Sequence, residues 1–194
     1  MRHCLWLLAT LITATAALAA PLEWNFDTQA EVSSSANLQP GRVSDGKLSG
    51  ETVWDPHFYV QLPREGIDAN ELTWLEVRLY SSAPADVLDI YYKSPDGRWC
   101  LGGKFPIARG WAVYRIDLTQ NQWRETQTGD VSRQWGGPGK RVISLRLDPG
   151  NEANRWVMVD WVKLMPKPEG AQEGVTEEPR GTEKFIKLEV KPQA

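Results

Sequence analysis

Short runs of alternating apolar and polar residues dominate positions 21–164 of the chain. In TWLEVRLYS, residues 73–81, Leu75, Val77 and Leu79 share one parity, and polar or aromatic side chains take the other. Side chains of a β-strand alternate between two faces, so this pattern predicts a strand with one buried face. Comparable runs lie at 22–27, 37–54, 57–63, 86–94, 98–106, 111–118, 142–148 and 156–164.

Turn residues separate these runs. Ser44-Asp45-Gly46 and Pro95-Asp96-Gly97 have the composition of tight turns between paired strands. The glycines within 119–140 favour a long loop over a helix. Eight or more short strands separated by turns predict an all-β fold, an antiparallel β-sandwich or jelly roll.

The first 19 residues have a basic start, an apolar run and the small-residue exit Ala17-Leu18-Ala19. This is the layout of a secretory signal peptide, and the apolar run is short for a membrane span. We therefore expect a secreted protein, periplasmic or extracellular in a bacterium, with no membrane span. Residues 20–164 have the length of one domain.

The composition changes at Met165. From there the sequence is rich in Pro, Gly and Glu and poor in apolar residues, which predicts a disordered linker. We expect the tail, 165–194, to lie outside the core fold, with a possible short strand at 185–191.

Charge and cysteine content narrow the classes of function. The 22 basic and 25 acidic residues give a net charge of −3, which lacks the basic footprint of nucleic-acid binding. Beyond the signal peptide, Cys100 and His57 are the only residues of their kinds, so an internal disulfide and multi-histidine metal sites are excluded. No nucleophile elbow or phosphate-binding glycine loop is present, and we expect no enzyme. A carboxylate pair for glycoside hydrolysis stays open as an alternative.

Five motifs follow one another in a distinctive order: WNFDT, TWLEVRLYS, WAVYRIDL, SLRLDP and VMVDWVKL. In this order they resemble the carbohydrate-binding modules of the galactose-binding-like jelly-roll class, found beside bacterial polysaccharide-degrading domains. The resemblance implies a two-sheet antiparallel sandwich, a structural calcium site, and sugar binding by a face or by loops that bear aromatic residues. It leads us to expect a non-catalytic protein whose partner is a polysaccharide or glycan. A structural or adhesive sandwich that binds other secreted proteins is the alternative.

Asp160 is unusual because, Lys163 apart, both parities of its run, 156–164, are otherwise apolar. A buried carboxylate needs a partner or a metal. The resemblance implies that Asp27 and Asp160 lie near one calcium ion, with the loop around Gly50 and Glu51 as a further source of oxygens. Asp160 can instead accept hydrogen bonds from backbone N–H groups or pair with an arginine.

Outward parity selects the candidate sugar-binding residues. If the strands share a sheet, one outer face combines aromatic rings with arginines, and the carboxylates of Asp89 and Asp117 lie among them. Sugar C–H faces pack on rings, while hydroxyls need planar groups that offer paired donors and acceptors. The face residues are Arg78, Tyr80, Tyr91, Trp111, Arg115 and Arg146. The alternative is a solvated face of cross-strand salt bridges and aromatic pairs.

The tryptophans supply a second candidate site in the loops. Of the 10 tryptophans, Trp24, Trp156 and Trp161 are expected in the core. Loop candidates for sugar binding are Trp99, Trp123 and Trp135, of which Trp135 precedes a glycine-rich segment and is expected at an exposed tip.

Overall fold

The computed structural model describes residues 19–178, apart from the side chains of residues 85, 86 and 104. The predicted signal peptide, but for its last residue, and the possible strand at 185–191 lie outside these residues. Thirteen strands and one turn of 3-10 helix, Gln29–Glu31, make up the described fold. The strands are β1 Leu22–Trp24, β2 Val32–Ser44, β3 Lys47–Val60, β4 Ile67–Asp68, β5 Trp74–Ser81, β6 Ala85–Lys93, β7 Trp99–Ile107, β8 Gly110–Asp117, β9 Arg124–Glu125, β10 Arg141–Val142, β11 Ser144–Pro149, β12 Trp156–Met165 and β13 Gly174–Glu177.

Eleven of these strands form one continuous antiparallel sheet in the order β13-β8-β5-β12-β3-β11-β6-β7-β9, with β1 beside β12 and β2 beside β3. Strands β4 and β10 form a separate antiparallel pair. The fold is all-β, as the sequence predicts. No helix of the described residues is long and apolar enough to cross a membrane.

The long strand β3 connects two halves of the sheet. Its first part, Leu48 to Glu51, pairs with β12, and its last part, Phe58 to Val60, pairs with β11. Between them, residues 53–56 lie opposite a single residue of β2, because the register shifts there. Such a bulge bends a strand and increases its twist. The sheet turns at this bend, so that half A (β13, β8, β5 and β12) faces half B (β11, β6, β7 and β9).

The apolar core lies between the two halves. Leu75 and Tyr114 of half A and Ile90 and Leu145 of half B are all fully buried in one cluster. The inward parity predicted for these four strands is therefore confirmed at these positions, whereas Ile143, expected inward with Leu145, is 41% exposed and lies just before β11. The fold is the predicted antiparallel β-sandwich. Cys100 is buried in the same cluster, as expected of a small apolar residue.

The loop after β8 contributes to this core instead of extending into solvent. Trp135 is 2% exposed, and its indole N–H donates to the carbonyl of Leu72 at 2.8 Å. Its ring packs at 5.2 Å from Tyr92 and 5.4 Å from Trp123, which is fully buried. The prediction that Trp135 lies at an exposed tip is therefore wrong, and the ring of Trp123, another of the loop candidates, is buried as well. Their large apolar rings fill the space beside β6, and burial stabilises them there.

The prediction of a disordered linker from Met165 onward is wrong for residues 165–178. Strand β13 pairs with β8 and becomes the edge of half A. The Lys167 ammonium lies 2.7 Å from the Asp117 carboxylate. The Glu178 carboxylate accepts two hydrogen bonds from Arg78, at 2.9 and 2.6 Å. The charged residues that suggested disorder are thus paired with charges on the outer face of half A.

Candidate functional site

Strand β12 contains a β-bulge at Asp160. Val159 pairs with Leu79 and Trp161 with Arg78, so Asp160 is the extra residue between them. Val157 and Val159 face the core before the bulge, and Val162 and Leu164 face it afterwards, because one extra residue reverses the parity. This reversal explains why both parities of the run are apolar, and it places Asp160 on the outer face.

The exposure of two tryptophans along β12 differs from expectation. Trp156 is 37% exposed and Trp161 is partly exposed, so the prediction that both lie in the core is wrong. Both lie on the outer side of the strand. Trp24 is buried, as predicted.

Asp160 pairs with an arginine, one of the alternatives open from the sequence. Its Oδ2 accepts a hydrogen bond from Arg78 Nη1 at 2.6 Å, and Lys47 Nζ lies 3.7 Å from Oδ1. Hydrogen bonds, first to Glu178 and then to Asp160, raise the pKa of Arg78, although burial opposes this rise. The carboxylate is therefore neutralised by two cations.

The two cations beside Asp160, Arg78 and Lys47, occupy the surroundings of the carboxylate that was predicted to bind calcium. Calcium takes six to eight oxygen ligands, whereas Asp160 lies between two cations and Asp27 is exposed. Within residues 19–178, no three His, Cys, Asp or Glu side chains cluster as metal ligands. The described side chains do not form a set of oxygens that fits calcium around Asp160. A calcium site at Asp27 and Asp160 stays a prediction.

The predicted sugar-binding residues divide between two outer faces. Arg78 and Tyr80 on β5 and Trp111 and Arg115 on β8 lie on the outside of half A, where Tyr80 pairs with Trp111. Tyr91 on β6 and Arg146 on β11 are cross-strand partners on the outside of half B. The two halves face each other across the core, so their outer surfaces point away from one another. The prediction of a single shared face is wrong.

The outside of half A, formed by Arg78, Tyr80, Trp111 and Arg115, is called the covered face below. Trp111 is only 8% exposed, with the Arg78 guanidinium 4.2 Å from its ring centroid and the Tyr80 ring at 5.5 Å. Arg115 Nη1 donates to Thr176 Oγ1 at 2.9 Å, and its Nε lies 3.4 Å from Glu76. The C-terminal segment lies at the edge of the sheet, and its Thr176 and Glu178 side chains thus reach over this face. Trp111 is not the open aromatic platform that its parity predicted.

The outside of half B has a different surface. A row of cross-strand partners runs across five strands, with Tyr59 opposite Arg146, Arg146 opposite Tyr91, Tyr91 opposite Leu101, and Leu101 opposite Arg124. Neighbouring strands are about 4.8 Å apart, so this row extends over roughly 19 Å. The concave face is defined below as Tyr59, Tyr91, Trp99, Arg146 and Asp148, with Asp55, His57 and Lys93 at its border.

Aromatic contacts join the strands of this surface. The rings of Tyr59 on β3 and Trp99 on β7 lie 5.9 Å apart. Their strands are separated by three strand spacings, which is roughly 14 Å in a flat sheet. The two long side chains therefore lean towards each other over the strands between them. His57 packs edge-on against Tyr59 at 5.5 Å, and Lys93 Nζ lies 5.8 Å from the Trp99 ring.

Arg146 lies at the centre of the concave face. Its Nε and Nη2 donate to the two oxygens of Asp148 at 2.7 and 2.6 Å, and Nη2 also donates to Asp55 Oδ1 at 2.9 Å. The guanidinium carbon lies 4.6 Å from the centroid of the Tyr91 ring. Two-point pairing with a carboxylate and packing on a ring fix the orientation of the guanidinium plane.

Burial is the largest cause of the raised pKa values of Asp148 and Tyr91 in this cluster. Asp148 is 1% exposed, and burial raises its pKa to about 6, although the hydrogen bonds and charge of Arg146 oppose the rise. Burial, followed by the charges of Asp148 and Asp89, raises the pKa of Tyr91 to about 12. The Tyr91 hydroxyl is therefore protonated at neutral pH and can donate a hydrogen bond.

Sequence reasoning missed several residues of this surface. Parity within HFYV already places His57 and Tyr59 opposite the buried Phe58 and Val60, and Asp148 shares the parity of Arg146. Trp99 was predicted in a loop but lies within β7. Trp54, which is 70% exposed and lies outside this surface as defined, has no predictable orientation because it is in the bulged segment 53–56, where parity is lost.

Comparison with known proteins gives limited similarities. No family model matches the chain. Two curated relatives, both named ribosomal RNA small subunit methyltransferase A, from Mycobacterium sp. strains KMS and JLS, are 27% identical over 151 residues. That alignment covers 76% of this chain but 47% of each relative, so the chain spans about half the length of the curated relatives it matches.

Two solved structures of family 11 carbohydrate-binding modules from Clostridium thermocellum are also similar. One, from the cellulosomal cellulase Lic26A-Cel5E, has 15% identity and a TM-score of 0.41, and the alignment covers 65% of this chain and 76% of that chain. The other, in complex with a β-1,3-1,4-mixed-linked tetrasaccharide, has 13% identity and a TM-score of 0.41, with 79% and 92% covered. Similarity at this level does not assign the chain to a family.

Proposed function

We propose that this chain is a secreted, non-catalytic carbohydrate-binding protein whose concave face binds a polysaccharide or glycan. The observation that carries the proposal is the fixed guanidinium of Arg146, which lies against the Tyr91 ring and between two carboxylates on a concave, partly exposed surface.

The chemistry of the concave face suits a sugar chain. The partly exposed rings of Tyr59, Tyr91 and Trp99 offer apolar surfaces on which sugar C–H faces pack. Asp55 supplies acceptor oxygens and Arg146 supplies donors, which together match hydroxyl groups that both donate and accept. The ion pairs hold these groups in place before a ligand arrives, so binding orders few side chains and loses little entropy.

The same ion pairs support a binding role rather than hydrolysis. Glycoside hydrolases place two carboxyl groups on either side of the bond that is cleaved. Here Asp55 and Asp148 both bind Arg146 Nη2, and Asp148 is buried beneath the surface. Two carboxylates on one guanidinium leave no free acid and base pair at this position. Export is expected from the N-terminal sequence alone.

Retention on insoluble polysaccharides tests the proposal. The wild-type protein and the Tyr91→Ala variant are passed over a panel of glucans, xylans, mannans and galactans, with reducing sugar measured in parallel. Tyr91→Ala should weaken binding about tenfold, since loss of one aromatic platform removes about 1–2 kcal/mol. Its melting temperature should stay within a few degrees of the wild type.

Tyr80→Ala is the matched control because Tyr80 is an aromatic residue of the covered face that packs against Trp111, whose ring lies under Arg78. It should keep wild-type retention. Loss of retention in Tyr80→Ala together with full retention in Tyr91→Ala would contradict the assignment of the site. Release of reducing sugar by the wild type would indicate a hydrolase. Absence of retention across the panel would favour a sandwich that binds a protein partner.

A further inference from the structure

A surface depression of about 400 Å³ opens beside the concave face, at the edge formed by β7 and β9. Leu101, the cross-strand neighbour of Tyr91, forms part of its wall. The residues that line it are Leu101, Gly102, Gly103, Asn121, Gln122, Arg124 and Val131. The depression therefore adjoins the row of residues that contains Tyr91 and Arg146.

Two glycines give the depression a backbone lining. A Cβ atom at Gly102 would lie 2.6 Å from the Trp123 ring, and one at Gly103 would lie 2.8 Å from Ile90 Cδ1. Gly103 also has φ +64°, a conformation that favours glycine. Tight packing against the core thus keeps both positions free of side chains, and peptide groups line this part of the surface.

The charge of the depression differs from that of the concave face. Arg124 is exposed, and within the described part of the chain it forms no ion pair. The described residues that line the depression include two amide side chains and no carboxylate. Arg146, in contrast, is neutralised by Asp55 and Asp148. An unneutralised guanidinium attracts an anionic group and can bind a carboxylate with two hydrogen bonds.

We propose that this depression is a subsite for a negatively charged sugar unit, such as a uronate, of the glycan bound along the concave face. This inference rests on the proposed function. Arg124 lies two strands from Tyr91, which is about 10 Å, so a sugar chain packed on the Tyr91 ring reaches it within a few sugar units. The concave face binds the neutral part of the chain, and the depression selects for charge.

The experiment compares two forms of one polymer. The neutral polysaccharide that the panel retains best is used as such and after oxidation of part of its primary hydroxyls to carboxylates. The wild type should bind the oxidised form about three- to tenfold more tightly, as expected for one charge-assisted contact at an exposed site. This preference should shrink as salt is raised. Arg124→Gln should bind both forms equally, at the wild-type affinity for the neutral form.

Arg109→Gln is the matched control. It removes the same charge at an exposed position beyond the opposite end of β7. This variant should keep the preference. Equal binding of both forms by the wild type, or a preference that survives Arg124→Gln, would overturn the subsite while leaving the proposed function intact. Retention of no polysaccharide by the wild type would overturn both.

Discussion

The two outer faces of the sandwich contain nearly the same set of groups. On the covered face, Arg78 lies over the Trp111 ring and pairs with Asp160 and Glu178. On the concave face, Arg146 lies over the Tyr91 ring and pairs with Asp55 and Asp148. Each face thus contains an arginine that lies over an aromatic ring and pairs with two carboxylates. The faces differ in where the carboxylates come from.

Both carboxylates around Arg146 come from strands β3 and β11 of the sheet itself. One carboxylate around Arg78 comes from Glu178, at the end of the segment that covers half A. The side chains of the two arginines are similarly exposed, 22% for Arg78 and 17% for Arg146, so the faces differ in the ring, which is buried for Trp111 and partly exposed for Tyr91. The comparison shows that a ring and an arginine on an outward strand position do not by themselves make a binding site.

Truncation of Trp111 should produce the largest difference between the faces. Trp111 is 8% exposed and packs against Arg78 and Tyr80, so Trp111→Ala leaves a cavity between these side chains. We expect a loss of about 3–5 kcal/mol in the free energy of unfolding, as for other buried tryptophans. Polysaccharide retention by the folded fraction should be unchanged. Urea unfolding and retention measured below the transition test both parts.

The corresponding variant on the concave face is Tyr91→Ala, which should show the opposite pattern. If Trp111→Ala stays as stable as the wild type and loses retention, the covered face is the binding site and the comparison is reversed.

Much of this architecture is predictable from alternation alone. The inward positions of β5, β6 and β8 follow from period two, because each of these strands keeps one face on the core. Alternation fails where the register shifts. The extra residue at Asp160 reverses the parity of β12. The bulge at 53–56 likewise prevents parity from predicting the orientation of Trp54.

The site is less predictable than the fold. Parity identifies Arg146 and Tyr91, and it also indicates His57 and Tyr59. It cannot show that residues 165–178 return to cover Trp111, since that contact joins positions far apart in sequence. It also cannot show that Trp135 turns inward, because a loop has no period to follow. Long-range contacts decide both outcomes.

The second largest effect concerns the concave face. There, titration of Asp148 should make the free energy of unfolding depend on pH. Burial raises the pKa of Asp148 from about 4 in the unfolded chain to about 6 in the folded one. Between these values the folded state binds the extra proton, so this group makes stability fall as pH rises from about 4 to about 6. Its contribution is constant above that window. The expected size is about 1–3 kcal/mol.

Asp148→Asn removes this titration. The variant loses the partner of Arg146 and should be less stable, but its deficit against the wild type should shrink as pH rises from 4 to 6. The control is Asp96→Asn. Hydrogen bonds, first from Ser94, lower the pKa of Asp96, so this carboxylate changes the pH dependence of stability only below this window. The stability deficit of Asp96→Asn should therefore stay constant within the window. A constant deficit for Asp148→Asn would mean that Asp148 ionises normally.

The smallest expected effect concerns Asp160 and decides between an ion pair and a metal. If the carboxylate serves to pair with Arg78, then Asp160→Asn and Arg78→Gln should each destabilise the fold by about 1 kcal/mol, because the pair is partly exposed. The double variant should lose less than the sum, since both changes remove the same contact. Chelator should leave all four melting temperatures unchanged. If calcium raises the wild-type melting temperature and Asp160→Asn abolishes that rise, the ion pair is secondary and the carboxylate is a metal ligand. In that case the concave face alone would keep an arginine between two carboxylates, and the resemblance between the faces would end at Asp160.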